Sequence, residues 1–339
     1  MVDGDGASRR RCQPPRLHLG RVLHLVRQTV ADRCFDIVVV GGANTDYTIR
    51  GSALPTPKEP VSDGQFIRAC GGKGLNQAVA ASRLGASVAL VAAVGEDERG
   101  REIIDCLARE QVAAPFVVRR PAVPTGASVI HVDADGGKQT AAALGTNLFL
   151  SGADIDAAVH AIAAARVLVV QLEIPLVAVE RAVEIAASHR VPVVLDPAPA
   201  QPLPDSLIRG THIIKPNAAE ARVLTGIDVR NRESATAAAR ALQRRGATHV
   251  VVSVDAGTML LSGARERWYA NRRVKTVDTT GAGDAFAGGV AVALVEQRSI
   301  EDAVDLGHAA AALATTKPGA LSSLPTRREL DEFLRTTYA

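Results

Sequence analysis

Six short apolar runs constrain this 339-residue chain more than any other feature. They fall near 36–41, 87–94, 167–172, 191–196, 212–215 and 248–254. Each is apolar throughout, without the alternation of a strand that has one wet face. Helical patterns lie near 76–84, 99–109, 155–165, 176–188, 234–245, 283–296, 300–314 and 326–335. Strands that are apolar on both faces and separated by helices predict an α/β fold. Its central sheet is mostly parallel, with helices on both faces. Two stretches, about 47–70 and 114–143, break this rhythm with short alternating segments and turn residues. No internal repeat or low-complexity linker divides the chain.

The segment Asp278-Thr279-Thr280-Gly281-Ala282-Gly283-Asp284-Ala285-Phe286-Ala287-Gly288-Gly289 carries the chemistry. A short apolar run leads into it, and a helix pattern follows from about Gly283. Gly281 and Gly283 let the backbone approach a ligand closely. Amides at the start of a helix, with the helix dipole behind them, favour anions. Asp284 puts a carboxylate in the same turn. Beside an anion hole it repels bound phosphate, but it is well placed to take a proton from an alcohol that attacks phosphate. Gly-x-Gly-Asp alone would fit equally a glycine-rich loop with Asp284 as a helix cap. The full string favours catalysis.

Other chemistries lack their signatures. No Gly-x4-Gly-Lys-Ser/Thr loop is present, which excludes a P-loop enzyme. The third glycine of a dinucleotide fingerprint is missing, and the string comes late in the chain. The net charge is +3, yet residues 1–34 contribute +4 from seven Arg and three Asp. The remainder is near neutral, so the basic balance belongs to the leader and no nucleic-acid partner is expected. No apolar run is long enough to span a bilayer, so no membrane partner is expected either. Cys12, Cys34, Cys70 and Cys106 show neither metal-ligand spacing nor a disulfide framework, which suits a reducing, cytoplasmic setting. The leader, broken by charged and glycine residues, is expected to be a disordered extension.

The 278–289 string closely resembles a signature of the ribokinase-like sugar kinases, the phosphofructokinase-B family. Gly71-Gly72-Lys73-Gly74-Leu75-Asn76-Gln77-Ala78-Val79-Ala80 resembles that family's sugar-binding glycine segment. Smaller matches occur in order at 42–46, 171–173, 196–200 and 216–220. The resemblance spans about 35–337 and implies one kinase domain. Within it, 47–70 and 114–143 would form a small β-sheet lid, through which two copies would form a homodimer.

The resemblance also implies ATP-dependent phosphorylation of a sugar, D-ribose at its 5-hydroxyl. Deoxyribose, another sugar or a nucleoside is the alternative, as is a catalytically weak sugar-binding homologue. Asp284 would be the base, and Gly281, Ala282 and Gly283 the anion hole. Asn44, Thr45, Asp46, Gly72, Lys73, Gly74, Asn76 and Glu173 would hold the sugar, with Asp46 offering two oxygens to a hydroxyl pair. Asn217 and Glu220 match an Asn-x-x-Glu element that acts on Mg²⁺ and phosphate. Read without the family, they make a helix N-cap and its capping-box partner. Ser253, Val254, Asp255, Gly257, Thr258 and His308 would flank the nucleotide, with Gly283. This turn departs from the family pattern, since its glycines are displaced and Asp255 is acidic. Asp278, Thr280, Ala314, Lys317, Gly319 and Ser323 match positions that hold a K⁺ ion beside the anion hole. Lys317 would offer its carbonyl there.

Overall fold

Valine-rich runs with both faces covered form the centre of the molecule. The computed structural model describes residues 35–135 and 137–337, so the basic leader lies outside the described residues. The described residues open with β1 (Ile37–Val40), β2 (Asn44–Arg50), β3 (Gln65–Gly71), α1 (Lys73–Arg83), β4 (Val88–Gly95) and α2 (Glu98–Arg109). Next come β5 (Ala113–Arg120), β6 (Gly126–Val132), β7 (Lys138–Ala143), α3 (Gly152–Ala157), α4 (Val159–Ala164) and β8 (Val167–Val170). The middle continues with α5 (Leu176–Ser188), β9 (Val193–Leu195), α6 (Asp205–Arg209), β10 (Ile213–Ile214), α7 (Ala218–Thr225) and α8 (Arg232–Arg244). It closes with β11 (His249–Val254), β12 (Gly257–Ser262), β13 (Arg265–Ala270), α9 (Ala282–Val295), α10 (Ile300–Ala314) and α11 (Arg327–Thr337).

Among the described residues, nine strands form one sheet in the order β13-β12-β11-β10-β9-β8-β1-β4-β5. Pairing is parallel from β11 through β5 and antiparallel at the β11-β12-β13 end. Within β1, Val38 and Val40 pack into a core under α3, α4, α5 and α8, while Ile37 and Val39 pack under α1, α9 and α10. This two-residue alternation between two apolar layers is why the strand is apolar throughout.

A second sheet, β3-β2-β6-β7, stands apart. Its strands join the main body where Asn44 faces both Gly71 and Gly126. Residues 113–120 correct the sequence reading. They form β5, an edge strand of the large sheet, so in the stretch 114–143 only β6 and β7 belong to the small one. Most of β5 is only partly buried, with Phe116 inside and Pro115 and Arg119 exposed, as suits an edge strand, and in sequence this resembles a small solvated sheet. The β12 and β13 strands escape the sequence reading, because a short hairpin extension carries little periodic signal.

The chain leaves β1 for β4 on one side and reaches β8 on the other. Ligands collect at the carboxyl ends of strands where the order reverses in this way. Gly41, Gly42, Gln171 and Glu173 all lie at that point. Close approach explains both glycines: a Cβ on Gly41 would sit 1.7 Å from Gln171 Oε1, and one on Gly42 would sit 2.5 Å from Glu173 Oε2.

Candidate active site

Gly281 caps α9 in the left-handed region, with φ of 80°. That conformation favours glycine and directs the first-turn amides outward, where no intrahelical acceptor exists. Asp284, in that turn, is buried. Its Oδ2 accepts from Asn76 Nδ2 at 3.0 Å, and its Oδ1 accepts from Gln77 Nε2 at 3.0 Å. Burial raises the Asp284 pKa above the ordinary carboxylate value. Lys73 opposes that rise, Asp196 adds to it, and the two amide donors moderate it.

A buried polar network extends from this carboxylate. Gln77 Nε2 also donates to Asp196 Oδ2 at 2.8 Å, and Gln77 Oε1 accepts from Gln171 Nε2 at 2.6 Å. Lys215 Nζ lies 3.0 Å from Asp196 Oδ1. The same ammonium lies 3.6 Å from where a Cβ would stand on Gly283, so it borders the anion hole directly. Burial works against the Lys73 ammonium, but Asp196, Asp284, Glu173 and Glu220 together hold its pKa above the ordinary value.

The glycine segment opens α1. Gly72 has φ of 91°, and a Cβ there would lie 2.8 Å from the Asn44 nitrogen. A Cβ on Gly74 would lie 2.6 Å from the Gly41 carbonyl carbon. The Lys73 amide donates to Glu173 Oε2 at 2.8 Å, so Glu173 anchors the segment from the end of β8. Burial pushes the Glu173 carboxyl up to about 7, with Lys73 holding it down. Asp46 is pushed up to about 6 by burial; a hydrogen bond from Ser128 opposes this and the Asp284 charge adds to it. Asn44 Oδ1 accepts from Asn147 Nδ2 at 2.7 Å. Strand alternation turns Thr45 to the opposite face of β2 from Asn44 and Asp46.

A cavity of about 740 Å³ joins the residues expected at the nucleotide to Lys73, Asp284 and the anion hole, while the other residues expected at the sugar do not line it. Ser253, Val254, Asp255, Thr258 and His308 line one side, and Asn217, Glu220, Lys73, Asp284 and residues 281–283 line the other. Asp255 is exposed at the β11–β12 turn. Gly257 serves packing instead: a Cβ there would meet the Tyr269 carbonyl at 2.4 Å. His308 is buried against Tyr269, and burial, with Arg272 nearby, lowers its pKa and favours a neutral ring. Asn217 and Glu220 do form the capping box of α7: Glu220 N donates to Asn217 Oδ1 at 2.9 Å and Asn217 N to Glu220 Oε2 at 2.8 Å. Burial and neighbouring Asp196 raise the Glu220 pKa.

The residues matched to a potassium site also converge. Asp278 Oδ1 accepts from the Thr280 amide at 2.9 Å and its hydroxyl at 2.6 Å. Asp278 Oδ2 accepts from the Gly319 amide at 3.0 Å and from Arg50 Nη2 at 2.7 Å. Ser323 Oγ reaches the Thr280 carbonyl at 3.5 Å, and the Lys317 amide donates to the Ala314 carbonyl at 3.3 Å. The Lys317 ammonium turns away to Glu329. Burial acts against ionised Asp278, but Thr280, Gly319 and Arg50 hold its pKa below the ordinary value.

Sequence reasoning assigns no role to Gln77, Gln171, Asn147, Asp196, Lys215 or Arg50. Gln77, Gln171 and Asp196 stand inside matched segments, which is the only signal available for them. The partners of Lys215 and Arg50 lie far along the chain, and nothing in sequence pairs them.

A buried carboxylate beside an open helix N-terminus, facing a cavity bordered by Lys73 and Lys215, defines a phosphoryl-transfer site of the alcohol-activating kind. Residues 35–327 match the model of the pfkB family carbohydrate kinases. The chain is 38% identical over 299 residues to a ribokinase of Haemophilus influenzae, covering 88% of this chain and 98% of that protein. It is also 33% identical over 301 residues to a deoxyribokinase of Salmonella typhi, covering 88% and 98%. Among solved structures, the ribokinase of Thermotoga maritima matches with a TM-score of 0.79 at 30% identity, covering 89% of this chain and 99% of that one. The Arabidopsis thaliana ribokinase complexed with ribose and ATP also matches, with a TM-score of 0.79, 29% identity and the same coverage. The chain belongs to the pfkB family of carbohydrate kinases and is a sugar kinase.

Proposed function

We propose that this chain transfers the terminal phosphoryl group of ATP to the 5-hydroxyl of D-ribose, giving D-ribose 5-phosphate and ADP. One observation carries the reading: Asp284 is held by Asn76 and Gln77 in the same helical turn that presents open amides. The hydroxyl's proton then has an acceptor beside the place where its oxygen meets phosphorus. Phosphoryl transfer needs alignment and charge stabilisation more than covalent help. The amides of Gly281 and Gly283, with Lys215 and Lys73, supply positive potential, while Asp46, Asn44 and the amides of Gly72 and Gly74 orient the sugar. The small sheet covers the sugar and excludes water, which strengthens these interactions.

ATP enters this reading through the cavity between the β11–β12 turn and His308. Asn217 and Glu220 offer hard oxygen atoms to a Mg²⁺ ion through water; when bound, that ion neutralises phosphate charge. K⁺ has no part in this reaction, since Asp278 already has a guanidinium partner. The ribokinases of Haemophilus and Arabidopsis support ribose as acceptor. The Salmonella relative supports deoxyribose as the second reading. Exposed Phe66, Ile67 and Val129 on the small sheet support a homodimer joined there. Cys70 and Cys106, both free thiols, support a cytoplasmic setting. Among the described residues no helix is long and apolar enough to cross a membrane.

ADP release by the purified protein, followed across a panel of pentoses, hexoses and nucleosides, tests the proposal. Ribose should give the highest kcat/KM. ADP release independent of any sugar, or preference for a nucleoside, would contradict it.

A further inference from the structure

We infer that Arg50 supplies the positive charge at Asp278 that a monovalent cation would otherwise supply, and so ties the sugar-binding strand to the anion-binding loop. The inference rests on the phosphoryl-transfer reading of α9. A carboxylate offers about four lone-pair positions. At Asp278 all four have partners: the Thr280 amide and hydroxyl, the Gly319 amide and Arg50 Nη2. The Asp278 side chain is 4% exposed, so little water is available to screen its charge. A potassium ion drawn to this buried carboxylate would stand close to the Arg50 guanidinium, which is 28% exposed, and the two like charges would repel across a site that water only partly screens. The residues present therefore do not fit the ion that the family resemblance implies.

The position of Arg50 gives the contact a consequence. Arg50 is the last residue of β2, whose first three residues include Asn44 and Asp46. A single strand thus begins at the sugar side and ends on the loop that leads into Gly281. Arg50 Nε is buried with no hydrogen-bond partner among the described residues, so the Asp278 carboxylate is the partner that orients the guanidinium. Asp278 in turn fixes the Thr280 amide and hydroxyl, one residue before the glycine that caps α9. Arg50 is thus a positioning residue: it acts on the anion hole through Asp278 and Thr280.

The test uses the full chain and its Arg50→Gln and Arg50→Lys variants. Each is measured in potassium chloride and in tetramethylammonium chloride at equal ionic strength, for melting temperature and for turnover with ribose and ATP. The wild-type protein should behave alike in both salts by both measures. Arg50→Gln should lose about tenfold in turnover in the organic salt, the effect of one lost charge-assisted contact. Potassium should restore that turnover and raise the melting temperature of this variant alone. Arg50→Lys keeps the charge and should remain indifferent to the salt. A potassium-dependent rise in wild-type melting temperature would overturn the inference, as would an Arg50→Gln variant that responds to neither salt. The melting measurement needs no sugar turnover, so it decides this point even if ribose is not the substrate.

Discussion

Replacing Asp284 by Asn isolates proton transfer from folding, for a reason the hydrogen bonds supply. The new amide keeps one acceptor oxygen and turns one donor toward a former donor partner. Gln77 cannot reverse its amide, because its Nε2 already serves Asp196 and its Oε1 accepts from Gln171. Asn76 can, because its Oδ1 is buried and has no partner among the described residues. After an Asn76 flip, the substituted amide finds an acceptor for its nitrogen in Asn76 and a donor for its oxygen in Gln77. Stability should then change by less than about 1 kcal/mol, within the range of a single neutral hydrogen bond. Loss of the general base should lower kcat by about 10²–10⁴-fold, equivalent to roughly 3–5 kcal/mol of barrier. The flip also exchanges the donor and acceptor ends of Asn76, a residue expected at the sugar, so the KM for ribose should rise modestly. A coupled ADP assay and a thermal melt on one preparation measure both quantities. An Asp284→Asn variant that keeps more than half its turnover, melting like the wild type, would refute the assignment of Asp284 as base.

Three further outcomes follow from the same geometry. Asp46→Ala should raise the Kd for ribose by roughly tenfold or more, the effect of a charge-assisted partner lost to buried hydroxyls, and calorimetry reads this directly; unchanged affinity would remove Asp46 from the sugar site. Glu173 is pushed from 4.5 to about 7, so the folded state prefers its protonated form; stability should therefore fall as pH rises from about 4.5 to 7 and level off above, and Glu173→Gln should flatten that fall in a series of thermal melts. Lys215→Met leaves Asp196 without its cation beside Asp284, so the acid limb of the pH–rate profile should move to higher pH while turnover falls; a profile that keeps its position would confine Lys215 to packing.

The legible parts of this molecule are those written locally. Gly281 and Asp284 stand three residues apart, and the left-handed cap and the buried carboxylate are consequences of one turn. The Asn217–Glu220 capping box has the same local character. The valine runs disclose the parallel sheet because burial on both faces leaves a continuous apolar record. What stays hidden depends on distance along the chain. Gln77 meets Asp284 across 207 residues, and Arg50 meets Asp278 across 228. Lys215 reads as the end of a strand until the fold carries it to Gly283. β5 is misplaced in sequence because an edge strand and a small solvated sheet are both only partly buried, and the parallel pairing with β4, Val91 with Phe116 among its pairs, distinguishes them.

Asp255 decides how the nucleotide side is understood. Its side chain is exposed at the cavity mouth, where solvent screens it, and its carbonyl is held by Asn271. Exposed charge pairs contribute at most about 1 kcal/mol, so Asp255→Gly should leave the KM for ATP unchanged or slightly higher. A clear fall in that constant would mean that the carboxylate opposes phosphate.

The hydroxyl proposed to be activated beside Asp284 is the 5-hydroxyl of ribose. Phosphorus–proton correlation NMR of the product formed from ribose, ATP and purified protein reads the position of the new bond directly. One phosphate monoester, coupled to the two C5 protons, should form with the wild-type chain and be lost with Asp284→Asn. A phosphate on the anomeric carbon, or free phosphate with no sugar ester at all, would contradict it.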